Sequence, residues 1–472
     1  EMYFFPSTES DEAKVARRRV EEQRHRHTSQ AGTLVLVNVC QALLFLQVFL
    51  TAQAEDRLPM GVAFGGLALL SWVLYGIYRA AQRSAYELES LVFLLISIGA
   101  AVTAAYDPSS LYKLLITVVM GMVLFLAMSG VLRDLHTSIQ ARWPVALATG
   151  ALLAFNVILG ERIFGAKNWI SIGPLSFQPS ELVKIAFILA GAATLDRLFA
   201  KRNLIFTILF SAYCVGCLAL MSDFGTALIF FVAFLCIAFL RTGDLPSIAM
   251  MVAAAAFGCG IILRFKPYIA DRFSAWLHVW DHAQDIGYQQ TRTMSAMASG
   301  GLFGAGADKS WLKYIGAANT DLVFGVVGEE FGFLLALCCV ASLMLPIAFT
   351  LQCAATARSS FYTILSCATA AMLVCQMALN VLGAVDLLPL TGVTFPFVSM
   401  GGSSMISCWG LMAYLKAADT RQNASFALRL SKLAPDQKKR PSPPVKPARQ
   451  EGFFADRPDI PVDEIFGKEE QK

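Results

Sequence analysis

Charge is what this sequence has least of. Asp, Glu, Lys and Arg make up 15% of its 472 residues and 56% are hydrophobic, whereas soluble domains carry roughly a quarter charged residues. With a mean hydropathy of +0.57, an ordinary soluble globular domain is excluded. The net charge is only +4, and the basic residues gather at the chain ends and in short connectors. That excludes a nucleic-acid-binding surface despite a pI near 8.5. The eleven cysteines lie in or beside apolar runs and none falls between residues 265 and 321, so they read as reduced packing residues and not as a disulfide framework. Cys214 and Cys217 form a C-x-x-C with no companion ligands. No cleavable signal peptide is recognisable, because residues 1–30 are polar and the first apolar run is long enough to stay in a bilayer. There is no internal repeat of fixed period, nor the paired broken segments of an inverted-repeat transporter.

What remains is a series of apolar runs, near residues 33–53, 60–79, 88–105, 111–132, 143–160, 181–197, 203–220, 222–240, 246–264, 322–350, 360–384 and 395–417. Each approaches the ~20 residues that cross ~30 Å of hydrocarbon. The pattern predicts an all-α polytopic membrane protein of about twelve transmembrane helices with a large extracytoplasmic loop. Alternate connectors carry the Lys and Arg excess: Arg79 and Arg83, Arg133 and Arg142, Arg197 with Lys201 and Arg202, Arg241, and Arg358. By the positive-inside rule these face the cytoplasm, as do both termini. Residues 1–30, with Arg17, Arg18, Arg19, Arg24 and Arg26, read as a cytoplasmic arm; residues 418–472, with Lys438, Lys439, Arg440 and a Pro-rich stretch, read as a disordered cytoplasmic tail.

The long polar, glycine-studded stretch 265–332 stands apart from these runs. Asp321 sits where it gives way to the next apolar run, in reach of both water and a lipid-borne substrate. Its bland alternative is a cap for the helix that follows. Other polar residues are embedded around it in sequence. Lys167 and Trp169 fit either a site or an interfacial anchor. Gln178 and Ser180 precede Glu181 and Lys184, which share one helix face at i, i+3; ionisable residues there are expected to face the bundle interior. Asp223 reads equally as a helix N-cap and a site residue. Arg272, Gln289 and Arg292, with Trp276 and Trp280, suit an amphipathic segment on the outer leaflet. His278, Asp281, His282 and Asp285 follow helical spacing and read as a hydrated helix face before they read as metal ligands. Ser403 and Ser404 follow Gly401 and Gly402, where either a thinned helix binding an anionic or sugar group or close helix packing is possible.

These blocks together resemble the bacterial SEDS family (shape, elongation, division and sporulation proteins), which includes the FtsW-type and RodA-type peptidoglycan polymerases. The resemblance rests on residues 165–170 with Gln178-Pro179-Ser180-Glu181-Leu182, Asp223-Phe224-Gly225-Thr226-Ala227, Gly287-Tyr288-Gln289, Ser299-Gly300-Gly301-Leu302-Phe303-Gly304, Thr320-Asp321, Gly328-Glu329-Glu330, and Pro396-Phe397-Val398-Ser399 with Gly401-Gly402-Ser403-Ser404, in the family's order. It covers about residues 87–417, a ten-helix core, and leaves residues 31–86 as two additional N-terminal helices. Two departures stand out. The family's His-Thr-Asp block reads Asn319-Thr320-Asp321 here, and Met400 replaces the tyrosine of its Ser-Tyr-Gly-Gly-Ser-Ser block.

The resemblance implies a glycosyltransferase of the bacterial cytoplasmic membrane that joins lipid II units into glycan strands, with an essential aspartate. In that reading Asp321 is the general base toward the acceptor sugar's 4-hydroxyl, the transfer inverts the anomeric carbon, and undecaprenyl pyrophosphate leaves. Lys167, Lys184, Arg272 and Arg292 are the candidate cations for the leaving group, and a divalent ion (Mg2+ or Mn2+) is a further candidate without an evident ligand cluster. Lipid II, the growing strand and a class B penicillin-binding transpeptidase are the implied partners. A lipid II flippase and a noncatalytic scaffold of the wall-synthesis complex are the alternatives.

Overall fold

The computed structural model describes residues 11–426 apart from 84, 164–165, 173–174, 196–200, 266–271, 308, 355–356, 358, 420, 422–423 and 425; side chains are described from Gln30 onward except at 163, 172, 175, 195, 201–204, 261–263 and 265. Residues 427–472 of the predicted tail, Arg197, Arg358, Gly165 and the side chains of the N-terminal arm, Lys201 and Arg202 lie outside the described residues.

A helix forms in each of the twelve apolar runs. In chain order these are α1 Asp11–Thr51, α2 Arg57–Ala80, α3 Glu87–Tyr106, α4 Leu111–Val131, then after a short α5 Leu135–Gln140, α6 Arg142–Leu159, α7 Pro179–Leu195, α8 Lys201–Leu220, α9 Phe224–Thr242 and α10 Leu245–Phe265. Two short helices, α11 Tyr288–Gly300 and α12 Val323–Glu330, precede α13 Phe333–Ala354, α14 Ser360–Ala384 and α15 Gly402–Ala417. Eight helices are long and apolar enough to cross a membrane among the described residues; α7, α8, α10 and α15 occupy the remaining runs. The chain is a multi-pass membrane protein, since helices satisfy every backbone donor internally where lipid offers none.

Three features differ from the expected pattern. A small antiparallel sheet joins α6 to α7, with β1 Glu161–Ile163, β2 Ala166–Ile172 and β3 Leu175–Phe177 in the order β1-β2-β3. The run 322–350 is two helices and not one. Gly332 breaks it at φ +90° with Leu302 O 2.4 Å from where a Cβ would stand, so only glycine passes there. The run 395–417 turns helical only at Gly402, and its first residues form a loop.

Buried residues are densest along α3, α14 and α15. Trp409 of α15 is fully buried, and its ring meets Phe93 at 5.7 Å, Phe125 at 5.6 Å and Phe397 at 6.1 Å between centroids, edge-on geometries that aromatic quadrupoles favour. The additional pair α1 and α2 is stitched together by Gln41 Nε2 donating to Phe64 O (2.7 Å) and Trp72 Nε1 to Asn38 Oδ1 (2.8 Å). All eleven cysteines are free. At the end of the bundle where α2 finishes and α3 begins, Lys416 pairs with buried Glu89 at 3.2 Å, and Arg421 pairs with Asp419 at 2.8 Å and Glu87 at 3.3 Å.

Candidate active site

Asp321 sits in the turn 316–322 that leads into α12. Ala317 adopts φ +63°, and its carbonyl accepts from the amides of Thr320 (3.2 Å), Asp321 (2.9 Å) and Leu322 (3.3 Å), which winds the turn around one oxygen. Gln289 of α11 donates from Nε2 to Gly316 O at 3.0 Å and holds the turn from one side. From the other side comes the segment between α14 and α15. Asn380 Nδ2 donates to both Asp321 O (2.9 Å) and Val393 O (2.8 Å). Ser399 Oγ donates to Thr320 O (2.6 Å), and the Met400 amide donates to Asn319 O (3.0 Å). The backbone of the turn is therefore fixed by its neighbours, while the Asp321 carboxylate meets the Thr320 hydroxyl of the same turn and, among the described residues, makes no ion pair. The N-cap of α12 is Leu322 and no side-chain cap bond is made there, which removes the capping alternative.

The carboxylate of Asp321 is half-buried against bare backbone. Gly392, at φ +70°, comes so close that an added Cβ would stand 3.1 Å from Oδ2. Burial pushes the Asp321 carboxyl up to about 6, assisted by the negative charge of Asp223 and opposed by the Thr320 hydroxyl and the positive charge of Arg272. A carboxylate poised there exchanges protons near neutral pH.

Asp223 lies nearby in a contrasting setting. Its Oδ1 accepts from Thr226 N (3.2 Å) and caps α9, and its Oδ2 accepts from Asn168 Nδ2 (2.7 Å) and Gln178 Nε2 (3.0 Å). The start of α9 packs so tightly on the segment after α14 that a Cβ on Gly225 would stand 2.6 Å from Val393 Cγ2. Arg272 donates from Nη1 to Leu390 O at 3.0 Å and its side chain is exposed, so segment 387–393 gathers Asp223, Arg272 and Asp321 at one end of the bundle. Trp276 Nε1 strengthens this by donating to Leu387 O (3.2 Å).

Glu181 and Lys184 do face the interior, at 5% and 1% exposure, and their 2.8 Å ion pair is extended on both sides. Ser407 Oγ donates to Glu181 Oε2 (3.0 Å), and Lys184 Nζ donates to Gln376 Oε1 (3.0 Å). Gln376 Nε2 in turn donates to Thr394 O (3.0 Å), whose hydroxyl meets Ser404 Oγ at 2.8 Å. A buried pair needs such satisfaction of its remaining polar atoms to be tolerated. The network ends one residue from Val393, which shares Asn380 with Asp321. Glu181, Lys184 and Ser404 are thereby joined through Gln376 and Thr394 to the segment that Asn380 ties to the Asp321 turn.

The other predicted site residues divide. Lys167 Nζ donates to Val157 O (2.9 Å) and Ile158 O (3.0 Å), closing the C-terminus of α6, a place where a cation also complements the helix dipole. Trp169 is half-buried on β2, paired with Glu161. Arg292 lies over the Tyr288 ring at 5.2 Å. Ser180 is fully buried at the start of α7, and Ser403 is half-buried in the first turn of α15. Residues 276–287, where His278, Asp281, His282 and Asp285 suggested a helix face, fold as successive turns with bonds such as Asp281 N to His278 O (3.0 Å). Among the described residues no three His, Cys, Asp or Glu groups converge as a metal-ligand set. Asn380 and Gln376 were not singled out by the sequence. Two amides four residues apart inside an apolar run were the available signal, because buried polar groups in a membrane helix demand partners.

The family model of the FtsW/RodA/SpoVE proteins, described as cell cycle proteins, matches residues 78–424. The chain is 34% identical over 290 residues to a probable peptidoglycan glycosyltransferase FtsW of Tolumonas auensis, covering 59% of this chain and 75% of that one. With the probable peptidoglycan glycosyltransferase FtsW of Borreliella burgdorferi it shares 31% identity over 276 residues, 56% of this chain and 74% of the relative. Among solved structures, a chain from a peptidoglycan synthase complex that coordinates polymerization and crosslinking superposes with a TM-score of 0.60 at 27% identity, covering 70% of this chain and 96% of that one. The rod-shape-determining protein RodA of Thermus thermophilus shares the fold, with a TM-score of 0.53 at 24% identity over 70% of this chain and 94% of its own. The chain belongs to the FtsW/RodA/SpoVE family.

Proposed function

We propose that this protein is a peptidoglycan glycosyltransferase that joins lipid II units into glycan strands at the outer face of the bacterial cytoplasmic membrane. The observation that carries the reading is Asp321: a half-buried carboxylate raised to about 6, on a turn anchored mainly through backbone oxygens, and, among the described residues, with no cap or ion pair to serve. Its Oδ atoms take the proton of the acceptor 4-hydroxyl as that oxygen forms its bond to the anomeric carbon of the donor. The bond from that carbon to the pyrophosphate oxygen breaks on the opposite face, so the configuration inverts. Positioned general-base catalysis contributes about 10²- to 10⁴-fold.

The leaving pyrophosphate keeps its charge and needs a cation more than an acid. Arg272 is the cation that the fold holds beside Asp321, whereas Lys167 and Lys184 are already committed to carbonyls and to Glu181. Among the described residues no three His, Cys, Asp or Glu side chains form a ligand set for a divalent ion, and both Asp223 oxygens already accept capping and amide bonds. Both termini are assigned to the cytoplasm by the Lys and Arg distribution. A class B penicillin-binding transpeptidase is the expected partner, supported by the likeness to a chain of a peptidoglycan synthase complex.

Reconstitution tests the reading. Purified protein given labelled lipid II in liposomes is expected to produce glycan polymer, and Asp321→Asn is expected to produce none while keeping its monodisperse elution. Lipid translocation without polymer would assign the flippase function instead.

A further inference from the structure

The two positions where this chain departs from its family's blocks, Asn319 and Met400, are 81 residues apart in sequence and touch each other. Asn319 Nδ2 donates to Met400 Sδ at 3.2 Å, and the Met400 amide donates back to Asn319 O at 3.0 Å. The contact closes the turn 316–322 onto the loop 395–400, two residues from the carboxylate of Asp321. The other ties between these segments, Ser399 Oγ to Thr320 O and Met400 N to Asn319 O, end on backbone carbonyls, which are the same for any residue in the turn. The amide-to-sulfur bond is the one that depends on both side chains at once. Thioether sulfur is a weak, polarisable acceptor on an unbranched chain, without a charge or a proton to exchange. It fixes the amide without adding a titrating neighbour to Asp321.

The geometry points to Asn319 and Met400 as a matched positioning pair that sets the presentation of the Asp321 carboxylate, each residue suited only to the other. This rests on the reading of Asp321 as the general base. The pair acts through the turn and not by contact with the reacting atoms. An imidazole at position 319 can still contact a thioether through its ring but does not place a donor where the carboxamide Nδ2 stands, and a phenol at position 400 would bring a hydroxyl to an amide spaced for sulfur.

A double-mutant cycle in reconstituted full-length protein tests this, with Asn319→His, Met400→Tyr and the combined variant assayed for polymer alongside wild type and Asp321→Asn. Each single change is expected to lower kcat by at least about threefold with little change in KM and to move the pH midpoint of kcat. The combined variant is expected to recover most of the loss, since residues in contact couple by about 0.5–3 kcal/mol, or roughly 2- to 150-fold. Met400→Leu, which keeps volume and removes the acceptor, should lower kcat, and Asn319→Ala added to it should cost nothing further. Wild-type polymerisation that requires Asp321, with single losses that simply multiply in the combined variants, overturns the pair and leaves the glycosyltransferase reading intact. Wild-type protein that makes no polymer overturns both. Thermal unfolding of the same variants separates misfolding from misplacement: a kcat loss matched by a collapsed melting transition for every single variant would make the pair merely structural and overturn the positioning role.

Discussion

Asp223 and Asp321 stand in similar local sequence, each just ahead of an apolar helix, and the fold uses them in opposite ways. Asp223 spends its oxygens on Thr226 N, Asn168 and Gln178 and so welds the start of α9 to the β2 strand and the entry of α7. Asp321 is anchored by its backbone, and its carboxylate is left against Gly392 and the Arg272 side. A carboxylate with both oxygens engaged in holding other elements is a structural part. One whose position is fixed by other atoms is available for chemistry, and the two cannot be told apart by residue type or by place in the helix.

The largest expected effect breaks that pair on the chemical side. Asp321→Asn keeps shape and removes the base, so polymerisation should fall by about 10²- to 10⁴-fold. Stability should not fall with it. The native carboxyl holds its proton up to about 6, above its value in an unfolded chain, so native stability declines as pH rises from about 4 through about 6. The amide removes this penalty, and melting at neutral pH should rise by an amount on the order of 1–3 kcal/mol. The same protonation gives wild-type kcat a rising limb: about tenfold per pH unit below about 6, then level, read from a pH-rate profile. A flat profile across that range would deny Asp321 the role of base.

Asp223→Ala should show the reverse signature. It removes the cap of α9 and strands the Asn168 and Gln178 amides, a loss of about 2–4 kcal/mol in thermal unfolding. The Asp223 charge also raises Asp321, so surviving activity should titrate at a lower midpoint than wild type. A variant that melts normally yet makes no polymer would place Asp223 with the chemistry and erase the distinction.

Much of this was legible in the sequence. Each apolar run contains a helix among the described residues, eight of them long and apolar enough to cross a membrane, and the i, i+3 spacing of Glu181 and Lys184 placed them inward, as their burial shows. Runs of hydropathy do not see backbone conformation, however, so the break at Gly332 and the loop before Gly402 were hidden within continuous apolar sequence. Nor do they see contacts across the chain. Asp321 is separated by 59 residues from Asn380 and Glu181 by 226 from Ser407, and nothing local marks either partner beyond being a polar residue in or beside an apolar run. Lys167 shows the same limit: a lysine before Trp169 suggests a cation at an interface, and the sequence does not show the two carbonyls at the end of α6 to which its ammonium donates.

The smallest expected effects lie in the cations, and they extend the contrast from carboxylates to positive charge. Lys167→Gln removes a helix-terminal cation, a change of about 0.3–1 kcal/mol in stability, with kcat held within about twofold of wild type. Arg272→Gln should do the converse, leaving the melting point nearly unmoved because the side chain is exposed. It should raise the pH midpoint of kcat, since the guanidinium opposes the elevation of Asp321, and lower kcat itself through the unneutralised pyrophosphate. Equal kinetics for the two variants would mean that the cation serving the leaving group is neither of them, and would send the search to Arg292, whose guanidinium rests on Tyr288 in α11, one turn of helix from the Gln289 that pins the Asp321 turn.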